Sequence, residues 1–400
     1  MRIDDNDQSL VFDQGLRFDL MNKYYTTFIS PKSIKELREL NIIPKPEWYE
    51  NVSDIYISHM HLDHMGILSN IPNPETIVHL PNIPIYEDMK EKWEKSPTWL
   101  SLIPNKYYTK LKQLTSLKAD KNNVMPIPVS HSAYPSYALL YFGKDENILY
   151  TGDFRTESFL NDEEFYKLNN GKNLLNYLKD NKDLRIDTLI IEGTNIGSDK
   201  LPLEPKEALN IIIKLAKNHN QIIATTHALD IEYTYALMKI ASESNLDFYI
   251  ASTQIVKLLE NIPELPLKPK LIEEYINYMS YFEKTPLKEI SKKSIIFISY
   301  RDIIDFIKEL SSTDIHLTDV AVIISEPEPK TEESTEYDVI SNWFLRIGIQ
   351  SYRIRASGHY YPHQLKTILN TIKPKSIKII HTEKPKLFQN MIKKFTHSLP

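Results

Sequence analysis

The pattern of apolar and polar positions along the chain changes near residue 187. Before that point, short β-branched and aromatic runs of strand length alternate with turns. After it, strand-length apolar runs alternate with segments at helical spacing, as in "DTLIIEG", "PKEALNIIIKLAKN" and "QIIATTH". Such strand–helix–strand repeats favour a parallel sheet built of βαβ units, so the pattern predicts an α/β fold. A helix is predicted over residues 84–103, and the strands predicted in the first part are SLVFD (9–13), DIYISH (54–59), TIVHL (76–80), VMPIPVS (124–130), YALLYF (137–142) and NILYTGD (147–153).

Composition narrows the kinds of site that the chain can carry. Its 400 residues are enough for two domains, and its apolar runs are too short to cross a membrane. The acidic N-terminus lacks an apolar signal segment, so we expect no membrane association and a cytoplasmic location. The net charge of −5 does not by itself indicate nucleic-acid binding. Because the chain has no cysteine, any metal must be held by histidine and carboxylate side chains.

Four side chains of the metal-binding type are concentrated in "YISHMHLDHMG", residues 56–66, although the chain has only 12 histidines. His59, His61, Asp63 and His64 form the pattern H-x-H-x-D-H at the end of a predicted strand. Since residues two apart on a strand share a face, we expect His59 and His61 to approach one ion. Asp63 and His64 lie beyond the strand end, where a turn can direct them to a second ion.

Four side chains cannot complete the coordination of two metal ions, so further ligands are expected elsewhere. Three candidates each follow a predicted strand: His131 in "VSHSAYP", Asp153 in "YTGDFR" and His381 in "IIHTEKP". Strand ends converge at one edge of a sheet. The recurrence of histidine and aspartate at these positions therefore predicts one shared site.

The order of these motifs resembles the metallo-β-lactamase superfamily, and specifically its nucleic-acid-processing β-CASP branch. The resemblance covers essentially the whole chain and includes Asp13 in "VFDQG", Glu192 in "IIEGTN" and His359 in "ASGHYYPHQL". In "IIEGTN" a glycine stands where serine is common in the family. The resemblance implies an αββα sandwich with an inserted β-CASP domain of βαβ type. Residues 1–205 would form the first part of the metallo-β-lactamase domain, 206–345 the β-CASP domain, and 346–400 the second part of the metallo-β-lactamase domain.

The resemblance also implies roles for individual residues. It assigns His59, His61 and His131 to one metal ion, assigns Asp63, His64 and His381 to a second, and makes Asp153 the bridge between them. Asp13 would support the histidine loop without binding metal. Two divalent ions are implied, for which Zn²⁺ suits the histidine-rich set and the carboxylates admit Mn²⁺.

The expected chemistry is hydrolysis of a phosphodiester by a hydroxide that the two ions activate. Asp63 would orient the attacking hydroxide, His359 would act as the general acid, and Glu192 would orient His359. His227 in "ATTHALD", together with Ser357 and Gly358, could contact a substrate phosphate.

The predicted function is a metal-dependent ribonuclease that resembles ribonuclease J and the archaeal cleavage-and-polyadenylation-type RNA nucleases. Members of the family that act on RNA keep a histidine at the position of His381, whereas DNA-directed members usually carry valine there. We expect a 5′→3′ exonuclease with RNA as its partner, and a homodimer is possible. Three alternatives remain open: an endoribonuclease of the RNA 3′-end processing type, a small-molecule hydrolase of the same superfamily, and a non-catalytic RNA-binding scaffold.

Overall fold

A computed structural model of the chain describes residues 1–5, 8–26, 29–68, 71–104, 110–225, 227, 229–262, 264–312, 319–326 and 334–396. Its internal contacts divide the chain into two units. The first unit is Met1–Thr156, Asp162–Asp199 and His359–Pro400, and the second is Glu157–Asn161 and Lys200–Gly358. The expected boundaries lay after residues 205 and 345, and the assignment of the parts to named family domains stays a prediction.

The described residues form seventeen strands. In chain order they are β1 (Arg2–Asp5), β2 (Gln8–Phe12), β3 (Val52–Tyr56), β4 (Ile77–Leu80), β5 (Lys110–Gln113), β6 (Val124–Pro128), β7 (Tyr137–Phe142), β8 (Asn147–Tyr150), β9 (Thr188–Glu192), β10 (Gln221–Thr225), β11 (Asp247–Ala251), β12 (Lys270–Ile272), β13 (Lys284–Thr285), β14 (Ser294–Ile298), β15 (Val320–Ile324), β16 (Gln350–Arg353) and β17 (Ser376–Ile380).

Thirteen α-helices lie in the same described ranges. They are α1 (Phe18–Tyr24), α2 (Ile34–Glu39), α3 (Leu62–Met65), α4 (Ile83–Glu94), α5 (Asp162–Asn169), α6 (Leu174–Asp180), α7 (Pro205–Asn218), α8 (Ile231–Glu243), α9 (Thr253–Leu259), α10 (Ile303–Leu310), α11 (Ser334–Ile347), α12 (Leu365–Ile372) and α13 (Pro385–Thr396). Short 3₁₀ turns occur at Pro46–Tyr49, Trp99–Leu102, Glu273–Tyr275, Leu287–Glu289, Tyr300–Asp302 and Pro362–Gln364.

The first unit is an α/β sandwich of two five-stranded sheets, with strand orders β1-β2-β3-β4-β5 and β17-β9-β8-β7-β6. Alternation along β7 explains how the layers form. Leu139 packs in the core that also contains Phe12 and Tyr56 of the other sheet. Its neighbours Ala138 and Leu140 belong to the core that contains apolar residues of α6, α12 and α13. Because successive side chains of a strand point to opposite faces, this buried strand contributes side chains both to the core between the two sheets and to the core between its own sheet and the helices.

The second unit contains a seven-stranded sheet in the order β13-β12-β11-β14-β10-β15-β16, and all of its strand pairs are parallel. Its central strands are apolar and buried along their length, as in "SIIFI" of β14, which is the sequence pattern of a parallel sheet covered on both faces. The predicted α/β class is therefore confirmed.

The helix predicted over residues 84–103 is shorter than expected. The α-helix begins after Asn82, whose side chain accepts a hydrogen bond from the backbone N–H of Ile85, and ends at Glu94. Pro97 explains the end, because proline has no N–H for the helical ladder and disfavours helical backbone in the preceding residue. None of the helices in the described ranges has the length and apolarity needed to cross a bilayer.

Candidate metal centre

The histidine motif lies in a bend and a short helix. Strand β3 ends at Tyr56, so His59 lies beyond it, and His61 immediately precedes α3, which carries Asp63 and His64. The expectation that His59 and His61 share the face of an extended strand is therefore wrong. The turn into α3 brings their rings to a centroid distance of 4.8 Å instead.

A glycine in "DQG" allows this bend to pack closely against the loop after β2. A Cβ on Gly15 would lie 1.6 Å from the backbone oxygen of Asp63, so no residue with a side chain fits there. The adjacent backbone N–H groups of Gln14 and Leu16 donate to the carbonyl oxygens of His64 and Leu62 at 2.7 and 3.0 Å. The loop after β2 therefore fixes the backbone of α3.

The first group of candidate ligands is His59, His61 and His131, each with one ring nitrogen within 4.8 Å of the others. His61 Nδ1 and His131 Nε2 are 3.2 Å apart. The loop that carries His131 is held by the buried Arg155, which donates from Nη2 to the His131 carbonyl oxygen at 2.9 Å and from Nε to Ser130 Oγ at 2.8 Å. Sequence reasoning did not single out Arg155, although it stands in "TGDFR" beside Asp153.

The second group is Asp63, His64, Asp153 and His381, again with ligand atoms within 4.8 Å of one another. Asp153 Oδ2 lies 3.1 Å from His64 Nε2, and Asp63 Oδ2 lies 3.1 Å from His381 Nε2. Asp153 Oδ2 is also 4.0 Å from His59 Nε2. The Asp153 carboxylate thus lies near ligand atoms of both groups.

Burial and neighbouring charges shift the pKa values of several groups in this cluster. Burial, reinforced by the neighbouring histidines, lowers the pKa of His59 well below its usual range. Burial opposes the charging of His64, but Asp153, Asp13 and Asp63 raise its pKa well above the usual range. Burial alone would raise the pKa of Asp153, but His381 and His64 hold it well below its usual range. The Asp153 carboxylate is therefore ionised, and its negative charge favours a cation at this site.

Two buried polar atoms that lack hydrogen-bond partners among the described residues show that the residues suit a metal ion. Within the described ranges, His59 Nε2 and Asp153 Oδ1 are buried and have no hydrogen-bond partner. An unpaired buried polar atom is costly, and each of these is a natural metal-ligand atom. Imidazole nitrogens together with carboxylate oxygens suit Zn²⁺, and the oxygens also suit Mn²⁺. The residues present therefore fit divalent ions.

The Asp13 carboxylate lies next to the histidine motif and takes part in four hydrogen bonds. Its Oδ1 accepts from the backbone N–H of Ser58 at 2.6 Å, and its Oδ2 accepts from Ser58 Oγ at 2.6 Å and from Tyr150 Oη at 2.7 Å. His64 Nδ1 lies 2.7 Å from the same Oδ2. With its Nδ1 engaged in this way, His64 presents Nε2 to the second group. Neither Ser58 nor Tyr150 carried a sequence signal for this position.

Glu192 and His359 form a pair at the border of the second group. Glu192 ends β9 and is fully buried, and its Oε1 lies 3.2 Å from His359 Nδ1. His359 Nδ1 is also 3.8 Å from Asp153 Oδ2. As a result, Asp153, Glu192, His359 and His381 form another set of ligand-type atoms within 4.8 Å, which overlaps the second group.

The three predicted substrate-binding residues belong to the second unit. His227 is exposed and lies just beyond β10, whereas Ser357 and Gly358 are buried in the segment that follows β16. Their contact with a substrate stays a prediction.

Comparison with known proteins gives limited similarity. No family model matches the chain. The chain is 22% identical over 249 residues to "Ribonuclease J" of Pyrococcus abyssi (strain GE5 / Orsay). That match covers 60% of this chain and 52% of the relative, so it spans about half of the relative's length. A crystal structure of a protein of unknown function from Enterococcus faecalis V583 superposes with a TM-score of 0.72 at 19% identity, covering 96% of this chain and 91% of that one. The structural similarity establishes the fold.

Proposed function

We propose that the chain is a metal-dependent ribonuclease of the β-CASP branch of the metallo-β-lactamase superfamily, acting as a 5′→3′ exonuclease of the ribonuclease J type. The observation that carries the proposal is one cluster in which seven ligand-type side chains from separate chain segments adjoin the Glu192–His359 pair. The partial similarity to a protein named ribonuclease J supports RNA as the substrate.

In this proposal His59, His61 and His131 hold one divalent ion, and Asp63, His64 and His381 hold a second, with Asp153 shared between them. Bound there, the two ions would activate a water molecule for attack and offset negative charge on the phosphoryl oxygens. The Asp63 carboxylate, which is partly exposed, orients the attacking group.

His359 is the proposed general acid. Glu192 Oε1 lies 3.2 Å from its Nδ1, and its Nε2 is the proposed donor of a proton to the leaving oxygen. His227, Ser357 and Gly358 are proposed to contact a substrate phosphate through the histidine ring and through hydroxyl and backbone donors.

The test is incubation with 5′-labelled RNA and with DNA of the same sequence, each with and without a chelator. We expect metal-dependent release of labelled mononucleotides from RNA. Internal fragments appearing first would instead support the endonuclease alternative. RNA that is bound but stays intact would support the scaffold. Cleavage of thioester or lactam substrates with RNA untouched would support the small-molecule hydrolase.

The variant His359→Ala tests whether His359 acts as the general acid or as a metal ligand. We expect it to keep both metal ions, measured by elemental analysis, and to lose about 10²–10⁴-fold in turnover, the range of general acid catalysis. Loss of bound metal would contradict the assignment and make His359 a ligand. Phe388, which is buried outside the cluster, offers a control through Phe388→Leu, which should affect stability more than turnover.

A further inference from the structure

His381 belongs to two overlapping sets of potential ligands. One set contains Asp63, His64 and Asp153, and the other contains Asp153, Glu192 and His359. The two ring nitrogens face different carboxylates, because Nε2 is 3.1 Å from Asp63 Oδ2 and Nδ1 is 3.5 Å from Asp153 Oδ1. The position of the ring alone therefore leaves open which nitrogen, and hence which set, would hold an ion.

The hydroxyl of Thr194 distinguishes the two nitrogens. Thr194 Oγ1 lies 2.7 Å from His381 Nδ1, within hydrogen-bond distance. In the tautomer that carries its proton on Nδ1, the hydroxyl oxygen accepts this N–H, and the lone pair on Nε2 is available to a cation on the side of Asp63. His381 is about one third exposed, at 33% of its side chain, so packing holds it less firmly than the buried His64.

The turn that carries Thr194 also holds the backbone of His381. Gly193 N–H donates to the His381 carbonyl oxygen at 3.2 Å. The N–H of Thr194 donates to Glu192 Oε2 at 2.8 Å, which couples the hydroxyl to the end of β9. The turn after β9 therefore fixes both the ring and the main chain of His381.

The same turn holds His359 separately. Glu192 Oε1 contacts its Nδ1, and Asn195 Nδ2 donates to the carbonyl oxygens of His359 and Tyr360 at 3.2 and 3.1 Å. Within the four residues 192–195, one hydroxyl thus serves His381, while one carboxylate and one amide serve the His359 segment.

We infer that Thr194 is a positioning residue that assigns His381 to the set of Asp63, His64 and Asp153, and so keeps Glu192 and His359 outside the metal centre. The inference rests on the proposed function, because that function requires His359 to transfer a proton and not to bind metal. Thr194 is exposed, so its hydroxyl can be removed without opening a cavity.

The test compares Thr194→Val, which keeps the shape and removes the hydroxyl, with Thr194→Ser, which restores it. Thr367→Val, an exposed threonine of α12, controls for the general effect of this substitution. Metal-free proteins are titrated with Zn²⁺ by calorimetry. We expect two equivalents in the unsubstituted protein, with the second weakened about 10–100-fold in Thr194→Val, the usual effect of losing such a supporting contact. Thr194→Ser and Thr367→Val should bind as the unsubstituted protein does.

Nitrogen-15 NMR of the Zn²⁺-loaded proteins provides a readout independent of activity. The unsubstituted protein and Thr194→Ser should bind zinc through Nε2 of His381, with a proton on Nδ1. Thr194→Val should lose this signature. Two equal equivalents and unchanged Nε2 ligation in Thr194→Val would overturn the inference while leaving the proposed function intact. Absence of Zn²⁺ binding by the unsubstituted protein would overturn both.

Discussion

Replacing Gly193 by alanine places a methyl group against a fully buried ring. An added Cβ would lie 2.5 Å from both Cδ1 and Cε1 of Phe388 and 3.2 Å from Cβ of Thr382. Ordinary carbon–carbon contacts are about 3.5–4.0 Å, so the Phe388 ring has to move by roughly 1 Å. Phe388 is 0% exposed and belongs to the core between the second sheet and its helices, which leaves it little room.

The size of the effect follows from two opposing contributions. Overpacking a well-filled core destabilises by about 1–3 kcal/mol. Alanine also stiffens the unfolded chain, which stabilises by about 0.4–1 kcal/mol where the backbone is compatible, and the φ of Gly193 is outside the left-handed region. The expected net loss in the free energy of unfolding is therefore about 0–2.6 kcal/mol.

Urea denaturation of the metal-free protein, followed by tryptophan fluorescence, measures this loss. The double variant Gly193→Ala/Phe388→Leu makes the measurement specific, because a smaller side chain at 388 gives the new methyl group space. We expect the double variant to lose less than the sum of the two single variants, with a coupling of about 0.5 kcal/mol or more. Strictly additive losses in the double variant would refute the reasoning.

Three further predictions concern the cluster. Arg155→Met should lower the free energy of unfolding in urea by about 1–3 kcal/mol, because buried partners Ser130 and His131 lose charged hydrogen bonds; unchanged stability would contradict this. Asp153 raises the pKa of His381 from 6.5 to about 9. Protonation of His381 therefore stabilises the metal-free fold fully below about pH 6.5, and this stabilisation is lost as the pH rises through 9. In His381→Asn, the free energy of unfolding in urea should change less with pH between about 6.5 and 9. Zn²⁺ at 100 times its dissociation constant should stabilise the protein by about 2.7 kcal/mol in thermal unfolding, reversibly with chelator; no shift in melting temperature would argue against a metal centre.

The sequence by itself determined the class of the fold and the kinds of atoms in the site. The apolar runs after residue 187 predicted parallel βαβ units, and the second unit has an all-parallel sheet. The concentration of His59, His61, Asp63 and His64, in a chain without cysteine, predicted nitrogen and oxygen ligands. These conclusions could be reached because secondary-structure periodicity and ligand type are local properties of the chain.

The tertiary structure alone decided how these atoms meet. Asp63 and His381 are 318 residues apart in the chain, yet a carboxylate oxygen of one lies 3.1 Å from a ring nitrogen of the other. The bend after β3, and not an extended strand, brings His59 and His61 together. Residues such as Ser58 and Thr194 are too common to be noticed in a sequence, because a hydroxyl matters here only for the nitrogen that lies within hydrogen-bond distance of it. That distance is set by the packing of separate chain segments, which no local pattern encodes.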